Sequence, residues 1–307
     1  MPASPETGGN GRTRCGFVAV LGAPNVGKST LVNQLVGTKV SIVSPKVQTT
    51  RSRVLGILIE GQSQIVLVDT PGIFAPRRRL DRAMVAAAWG GAADADVVCL
   101  LVDCTAPEGD DTRRIIGQLK ESRRAAVLVL NKIDLVAKPA LLAIAATFDA
   151  EGLFTDTLMV SALTGDGVGD LLSLLSERVP EGPWLFPEDQ ISDMPERLLA
   201  AEITREKLYL QLCQELPYAA TVETETWTEN ADGSVRIDQV IFVEKPTQKA
   251  IVLGKGGQRI KALGAAARTE LETLLERRVH LFVFVKVRER WGDDPERYRD
   301  LGLDFNA

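Results

Sequence analysis

Histidine is almost missing from this chain of 307 residues: His280 is the only one. One histidine cannot build a HExxH zinc site. It sits in the alternating run Val279-His280-Leu281-Phe282-Val283, which reads as a buried strand and gives it a structural place. Cysteine is scarce too: Cys15, Cys99, Cys104 and Cys213 are far apart, form no CxxC pair and are too few to staple so long a chain, which fits a reducing, cytosolic compartment. The longest apolar runs, such as Val97–Val102, fall far short of the roughly twenty residues that cross a bilayer. Met1–Arg14 has no apolar stretch of the signal-peptide kind and reads as a disordered tail. No lipidation motif or internal repeat is found. Charge is close to balance, 36 Lys and Arg against 41 Asp and Glu, and the net −5 taken whole argues against a nucleic-acid partner.

What is present divides the chain in two. Over residues 15–179, short apolar β-rich runs alternate with helical segments, the form of a mostly parallel α/β sheet with crossover helices. Strands are expected at Phe17–Leu21, Val54–Ile59, Ile65–Val68, Val97–Val102, Ala126–Leu130 and Leu158–Val160, with Gly61 turning the second into the third as an antiparallel edge hairpin. Residues 180–195 carry four prolines and four acids and read as a linker. Over 196–307 the order becomes helix, strand, strand, helix, helix, strand, an α+β unit with a C-terminal tail. The strands here are Ala219–Thr228 and Val235–Glu244, around Asp232-Gly233, and Val279–Arg288.

Gly22-Ala23-Pro24-Asn25-Val26-Gly27-Lys28-Ser29 fits GxxxxGK[ST] between a strand and the helical run that Thr30 opens. Chance supplies such a match in about one chain of this composition per hundred. The strand before it and the helix after it make it a phosphate-binding loop. Its glycines turn backbone N–H groups around phosphate oxygens, the helix N-terminus adds its dipole, and Lys28 brings a cation to the β and γ phosphates. The Ser29 hydroxyl is a magnesium ligand. Asp69-Thr70-Pro71-Gly72 follows the next strand, where a magnesium-side carboxylate and a γ-phosphate-sensing glycine amide are expected. Between them Gln48-Thr49-Thr50-Arg51 forms a switch segment, with Thr50 able to reach the metal when a γ-phosphate is present.

Asn131-Lys132-Ile133-Asp134 sets the base. The Asp134 carboxylate accepts two hydrogen bonds from guanine N1–H and its amine, which adenine cannot offer, so GTP is preferred over ATP. Ser161-Ala162-Leu163 adds backbone contacts to the guanine oxygen. In this order over residues 22–163 the motifs resemble the translation-factor class of P-loop GTPases. Ras-like enzymes place a water-orienting glutamine where this chain has Ile73. The sequence is similar to GTPases with a hydrophobic residue there, several of which recruit potassium through a loop asparagine at the position of Asn25. The catalytic set is then Lys28, Thr50, Gly72 and Asn25, with Mg2+ on Ser29, Thr50 and Asp69, and K+ as a further cation.

Gly254-Lys255-Gly256-Gly257 is a GxxG, a pattern that chance alone supplies about twice per chain of this composition. Its setting between two helices of the second unit matters more: this is the order of a type II K-homology (KH) fold, whose glycine turn presses against single-stranded RNA. From Lys245 to Arg290 eleven Lys and Arg face four Glu, and no acid occurs between Lys245 and Lys261. Lys249, Lys255, Arg259 and Lys261 bracket the turn as phosphate contacts. Ile251, Val252 and Ile260 are placed either in a base-binding groove or in the core.

A P-loop GTPase domain followed by a linker and a KH unit resembles the Era family. The likeness includes Gln48-Thr49-Thr50-Arg51, Glu215-Leu216-Pro217-Tyr218, Lys286-Val287-Arg288 and Trp291-Gly292-Asp293-Asp294, and runs from Cys15 to about Leu303. It implies binding near the 3′ end of 16S ribosomal RNA, a role in assembling the 30S subunit, a monomer in the cytoplasm and a peripheral contact with the inner membrane. GTP binding is expected to order residues 44–53 and 69–82, and hydrolysis to release them. The alternatives are an RNA chaperone with incidental turnover and a membrane-signalling GTPase.

Overall fold

The computed structural model describes residues 12–46, 49–76, 78–212, 219–291 and 294–307. Met1–Gly11 of the expected tail Met1–Arg14, Val47 and Gln48 of the switch segment, Cys213, Glu215-Leu216-Pro217-Tyr218 and Gly292-Asp293 lie outside the described residues. Arg14, expected in the tail, instead opens the first strand and donates to Val179 O and Glu177 O.

In the first unit a six-stranded sheet runs in the order β2-β3-β1-β4-β5-β6. The strands are β1 Arg14–Leu21, β2 Val54–Glu60, β3 Ser63–Asp69, β4 Val97–Asp103, β5 Ala126–Asn131 and β6 Phe154–Met159. All pairs are parallel except β2 with β3, a hairpin turning at Gly61 (φ +58°) that leaves β2 as the antiparallel edge. β3 and β5 are buried at every position. Helices cover both faces of the sheet, which is why these strands read as unbroken apolar runs. On one face α1 (Lys28–Val36) and α5 (Val168–Arg178) contribute Leu31, Val32, Leu171 and Leu175. On the other, α2 (Arg79–Asp94), α3 (Asp110–Glu121) and α4 (Lys138–Asp149) contribute Ala88, Ile115, Leu119 and Phe148. β6 begins four residues before the expected Leu158. As an edge strand it alternates half-buried with exposed positions, so Phe154-Thr155-Asp156-Thr157 carries little apolar signal. Because β1 lies between β3 and β4, the winding reverses at its carboxyl end, where an open α/β sheet receives its ligand.

The second unit comprises α6 (Glu196–Gln211), β7 (Ala220–Glu229), β8 (Val235–Val243), α7 (Pro246–Leu253), α8 (Gln258–Leu274) and β9 (Val279–Val287). β7 and β8 pair antiparallel, β8 and β9 parallel. A parallel pair needs a crossover, and α7 with α8 supplies it. The helices bury Leu208, Ile241, Leu263 and Leu271 on one face of the sheet. Beyond β9 a short α9 (Pro295–Asp300) forms in what the sequence suggests is tail, capped by the Asp294 carboxylate accepting from Glu296 N.

Residues 180–195 lie along β2: Ile57 N donates to Ile191 O at 2.9 Å and Leu55 N to Asp193 Oδ1 at 3.0 Å. Further contacts join the units. Tyr298 and Leu303 pack on Ala83 and Met84 of α2. At α6, Glu206 accepts from Lys39 Nζ with both oxygens (2.8 and 2.7 Å), from Val43 N at 2.8 Å and from Lys207 Nζ at 2.8 Å. Glu270 pairs with the same two lysines.

Burial alone would raise the Glu206 pKa, but the two lysines and the Val43 amide hold it below the usual range near 4.5. A carboxylate whose folded pKa lies below its unfolded value stabilises the fold fully above the unfolded pKa, and the gain is lost as pH falls through the folded one. Wild type is therefore expected to lose melting temperature more steeply than Glu206→Gln as pH falls below about 4.5, the variant starting lower at neutral pH. Parallel pH curves for the two proteins would remove Glu206 from the acid response.

Candidate functional site

The four motifs of the first unit meet at the carboxyl ends of the parallel strands. The loop Gly22–Ser29 follows β1, Asp69–Gly72 closes β3, Asn131–Asp134 follows β5 and Ser161–Leu163 follows β6. They surround a cavity of about 520 Å³ lined by Pro24, Asn25, Gly27, Lys28, Ser29, Thr30, Gly72, Asn131, Lys132, Asp134, Ser161, Ala162 and Leu163. Thr49 and Thr50 of the switch segment line it too, as do Ile42, Val43 and Pro45, which sequence reasoning did not single out.

Gly22, Ala23, Val26, Asp69, Thr70, Pro71 and Ile73 stand beside this cavity rather than on its lining. Gly22 and Ala23 offer their carbonyls to Lys28 Nζ at 3.1 and 2.9 Å. Val26 and Ile73 are in the core, and Thr70 Oγ1 donates to Val20 O at 2.8 Å. With its side chain 1% exposed, Ile73 offers no group to orient a water. Burial pushes the Lys28 pKa down to about 8, against the pull of Asp69. A lysine so poorly compensated is suited to an anion of high charge such as a polyphosphate.

Asp69, 0% exposed, is a hub of hydrogen bonds. Its Oδ2 accepts from Ser29 Oγ at 2.7 Å, Ser41 Oγ at 2.6 Å and Thr50 Oγ1 at 3.4 Å, and Ser29 and Thr50 hydroxyls are 2.9 Å apart. Its Oδ1 is buried without a hydrogen-bond partner among the described residues. Burial raises the Asp69 pKa, with the three hydroxyls and Lys28 opposing the shift. Among the described residues no three His, Cys, Asp or Glu side chains converge to hold a metal unaided. Two hydroxyls and one carboxylate fit magnesium, which keeps waters and takes substrate phosphates rather than a full protein cage. Ser41 lies outside every motif; nothing in local spacing marks it, since its role arises only when the segment before β2 folds over β3.

On the base side, Asn131 bridges two loops: its Nδ2 donates to Val26 O at 2.7 Å and its Oδ1 accepts from Ala162 N at 2.9 Å. Lys132, at φ +65°, donates to Asn25 O at 2.9 Å and to Asp103 Oδ2 at 2.5 Å, so Asp103 is a second supporting residue that the motifs do not reveal. Asp134 and Leu163 are exposed at the rim. Asn25, also exposed and at φ +62°, donates Nδ2 to Pro45 O at 3.1 Å.

In the second unit Gly254, Gly256 and Gly257 all have positive φ (+71°, +60° and +76°) and form the turn from α7 into α8. A Cβ on Gly254 would stand 2.7 Å from Arg259 Cβ, so the turn closes only with glycine there. Lys255, Arg259 and Lys261 are exposed and Lys249 half-buried. Lys249, Lys255 and Lys261 make no ion pair among the described residues, whereas Arg259 Nη1 donates to Ile251 O at 2.6 Å and closes the end of α7. The apolar trio separates: Val252 is in the core, Ile260 packs partly against it, and Ile251 is 48% exposed beside the turn.

A parallel sheet with a glycine-lysine loop at its switch point, joined to a helix-crossed three-stranded sheet with a glycine turn, defines a P-loop GTPase domain followed by a KH domain. Residues 17–132 match the family model described as 50S ribosome-binding GTPase, and residues 215–292 that of the KH domain. The chain is 61% identical over 304 residues to GTPase Era of Brucella suis biovar 1 (strain 1330), covering 99% of this chain and 97% of that one. It is 62% identical over 293 residues to GTPase Era of Rhizobium meliloti (strain 1021), covering 95% and 94%. Its fold is similar to a crystal structure of Era in complex with MgGDPNP and nucleotides 1506–1542 of 16S ribosomal RNA, with TM-score 0.89 and 40% identity over 94% of this chain and 99% of that one. A crystal structure of an Aquifex aeolicus Era variant bound to GDP.AlF4- gives TM-score 0.90 and 38% identity over the same shares. The chain belongs to the Era family of GTPases.

Gly27 is the point where the loops are tightest: at φ +101°, a Cβ there would come within 2.4 Å of Asn131 Nδ2. Gly27→Ala must strain the backbone and displace the amide that joins the loops. Fluorescent-nucleotide titration is expected to show GTP and GDP affinity reduced by about a hundredfold or more, equivalent to about 3 kcal/mol. Affinities within twofold of wild type would mean that Asn131 does not organise the site.

Proposed function

We propose that the chain binds GTP with magnesium, hydrolyses it, and uses its nucleotide state to control binding to the 3′ region of 16S ribosomal RNA during 30S subunit assembly. The observation that carries this reading is the likeness over 94% of the chain to an Era protein crystallised with both MgGDPNP and nucleotides 1506–1542 of that RNA. The site's own chemistry supports it. Lys28 faces the β and γ phosphates, Ser29, Thr50 and Asp69 hold the metal, Gly72 supplies an amide to the γ-phosphate, and Asp134 pairs with guanine. Bound magnesium would neutralise charge on the phosphates. GTP orders residues 44–53 and 69–82, and hydrolysis releases them.

With Ile73 in the core, a cation held at Asn25 would supply part of the charge stabilisation. Asn25 donates its amide nitrogen to Pro45 O, which leaves the side-chain oxygen as the ligand for potassium. Wild-type turnover is expected to be several-fold faster in potassium than in sodium, and Asn25→Ala to lose that preference. Equal rates in matched salts would remove the ion from the reaction.

RNA is held at the turn of residues 254–257 by Lys249, Lys255, Arg259 and Lys261 on phosphates, with Ile251 against a base. Because Arg259 also caps α7, Lys255→Glu with Lys261→Glu is the cleaner probe. The double variant is expected to lose tenfold or more in affinity for a 16S 3′ fragment and to keep basal GTP turnover. Unchanged RNA affinity would place the site elsewhere. Among the described residues no helix is long and apolar enough to cross a membrane. A cytoplasmic monomer that touches the inner membrane peripherally is part of the same reading and rests on the family likeness alone.

A further inference from the structure

The segment that carries Thr50 is fastened to the KH domain along its length. Glu206 holds Val43 N, and the Lys46 ammonium donates to the carbonyls of Tyr209 and Leu212 at the end of α6. Just before Thr50, Arg205 Nη2 donates to the Thr49 carbonyl. Just after it, Arg51 donates to the Tyr209 hydroxyl at 2.8 Å and to Ala220 O at 3.0 Å. Both neighbours of Thr50 are thus held by the other domain, and between them its hydroxyl meets Ser29 and Asp69.

Arg205 is fixed before it reaches across. It is 1% exposed, its Nε donates to Glu202 Oε1 at 2.8 Å, Nη2 also donates to Glu202 Oε2, and its guanidinium lies 5.0 Å from the Tyr209 ring centroid. Nη1 has no hydrogen-bond partner among the described residues. A buried ion pair is often no more stabilising than apolar residues of the same volume. What this arrangement supplies is position: an N–H group aimed by Glu202 at one backbone carbonyl of the GTPase domain.

We propose that Arg205 is a positioning residue for GTP hydrolysis, acting from the KH domain through the Thr49 carbonyl to set the Thr50 hydroxyl at the magnesium position. The proposal rests on the nucleotide reading above. A hydroxyl that reaches the metal only when a γ-phosphate is present affects the GTP state and spares the GDP state. Loss of Arg205 therefore has a signature that loss of folding lacks.

The test titrates magnesium against a non-hydrolysable GTP analogue and against GDP, using the full-length wild type, Arg205→Met, Arg205→Lys and Glu202→Gln. In Arg205→Met the magnesium needed for half-maximal analogue binding is expected to rise about tenfold and kcat to fall by a similar factor, the scale of one hydrogen bond to a charged group, with GDP affinity unchanged. Arg205→Lys, which still donates, recovers part of the loss, and Glu202→Gln is intermediate. Wild-type magnesium dependence and kcat in Arg205→Met overturn the proposal, as does an equal loss for GDP and the analogue across the variants. Should Arg205→Met fail to fold, the other two decide the matter: an unchanged analogue-to-GDP ratio in both refutes it. A wild type that binds no guanine nucleotide would instead refute the reading on which the proposal rests.

Discussion

One buried oxygen, Oδ2 of Asp69, is where the GTPase domain is tied together. Hydroxyls from the phosphate loop, from the segment after α1 and from the switch all converge on it. A buried carboxylate is costly unless donors compensate it. Three hydroxyls on one oxygen, with the other oxygen unpaired among the described residues, is an arrangement with capacity for a cation. The strand order makes this possible. β1 and β3 are parallel neighbours, with Val20 registered against Asp69, so the loop leaving β1 and the carboxylate ending β3 emerge side by side.

The same hub explains why the second domain bears on the first. Thr50 reaches Asp69 from a segment whose described residues form no helix or strand, and such a segment needs support to hold a hydroxyl in place. That support comes from α6 and the start of β7: Glu206, Arg205 and Tyr209 grip residues 39–51 at close intervals. The tail beyond β9 packs on α2, which begins shortly after Gly72. Both segments proposed to sense the γ-phosphate therefore touch the domain that carries the glycine turn. By linkage, any preference of one nucleotide for this docked arrangement is mirrored in RNA affinity wherever RNA favours or opposes it.

Much of this is written locally in the sequence. Gly27 and Lys28 are legible because backbone geometry and phosphate chemistry demand those residue types at that spacing. β3 and β5 are legible because strands covered on both faces are apolar throughout. The KH turn is legible only through its setting, since GxxG by itself is noise. Ser41 and Asp103 could not be found this way: each is recruited by tertiary folding, with no fixed spacing from the motif it supports. Arg205 reads as one more polar position in an amphipathic helix until the partner carbonyl is seen across the domain boundary. α9 is short and polar, and its signal is overridden by the packing of Tyr298 on α2. Net charge was the least informative quantity, because the acidic total hides the basic stretch around residues 245–261.

In the proposed coupling, the nucleotide site and the RNA surface act as one device through the docked switch segment. The most direct test is the affinity of the full-length chain for a 16S 3′ fragment, measured in the same magnesium buffer with GDP and with a non-hydrolysable GTP analogue. Coupling through the docked segment predicts affinities that differ by at least about fivefold, about 1 kcal/mol. Identical affinities in the two states would contradict it.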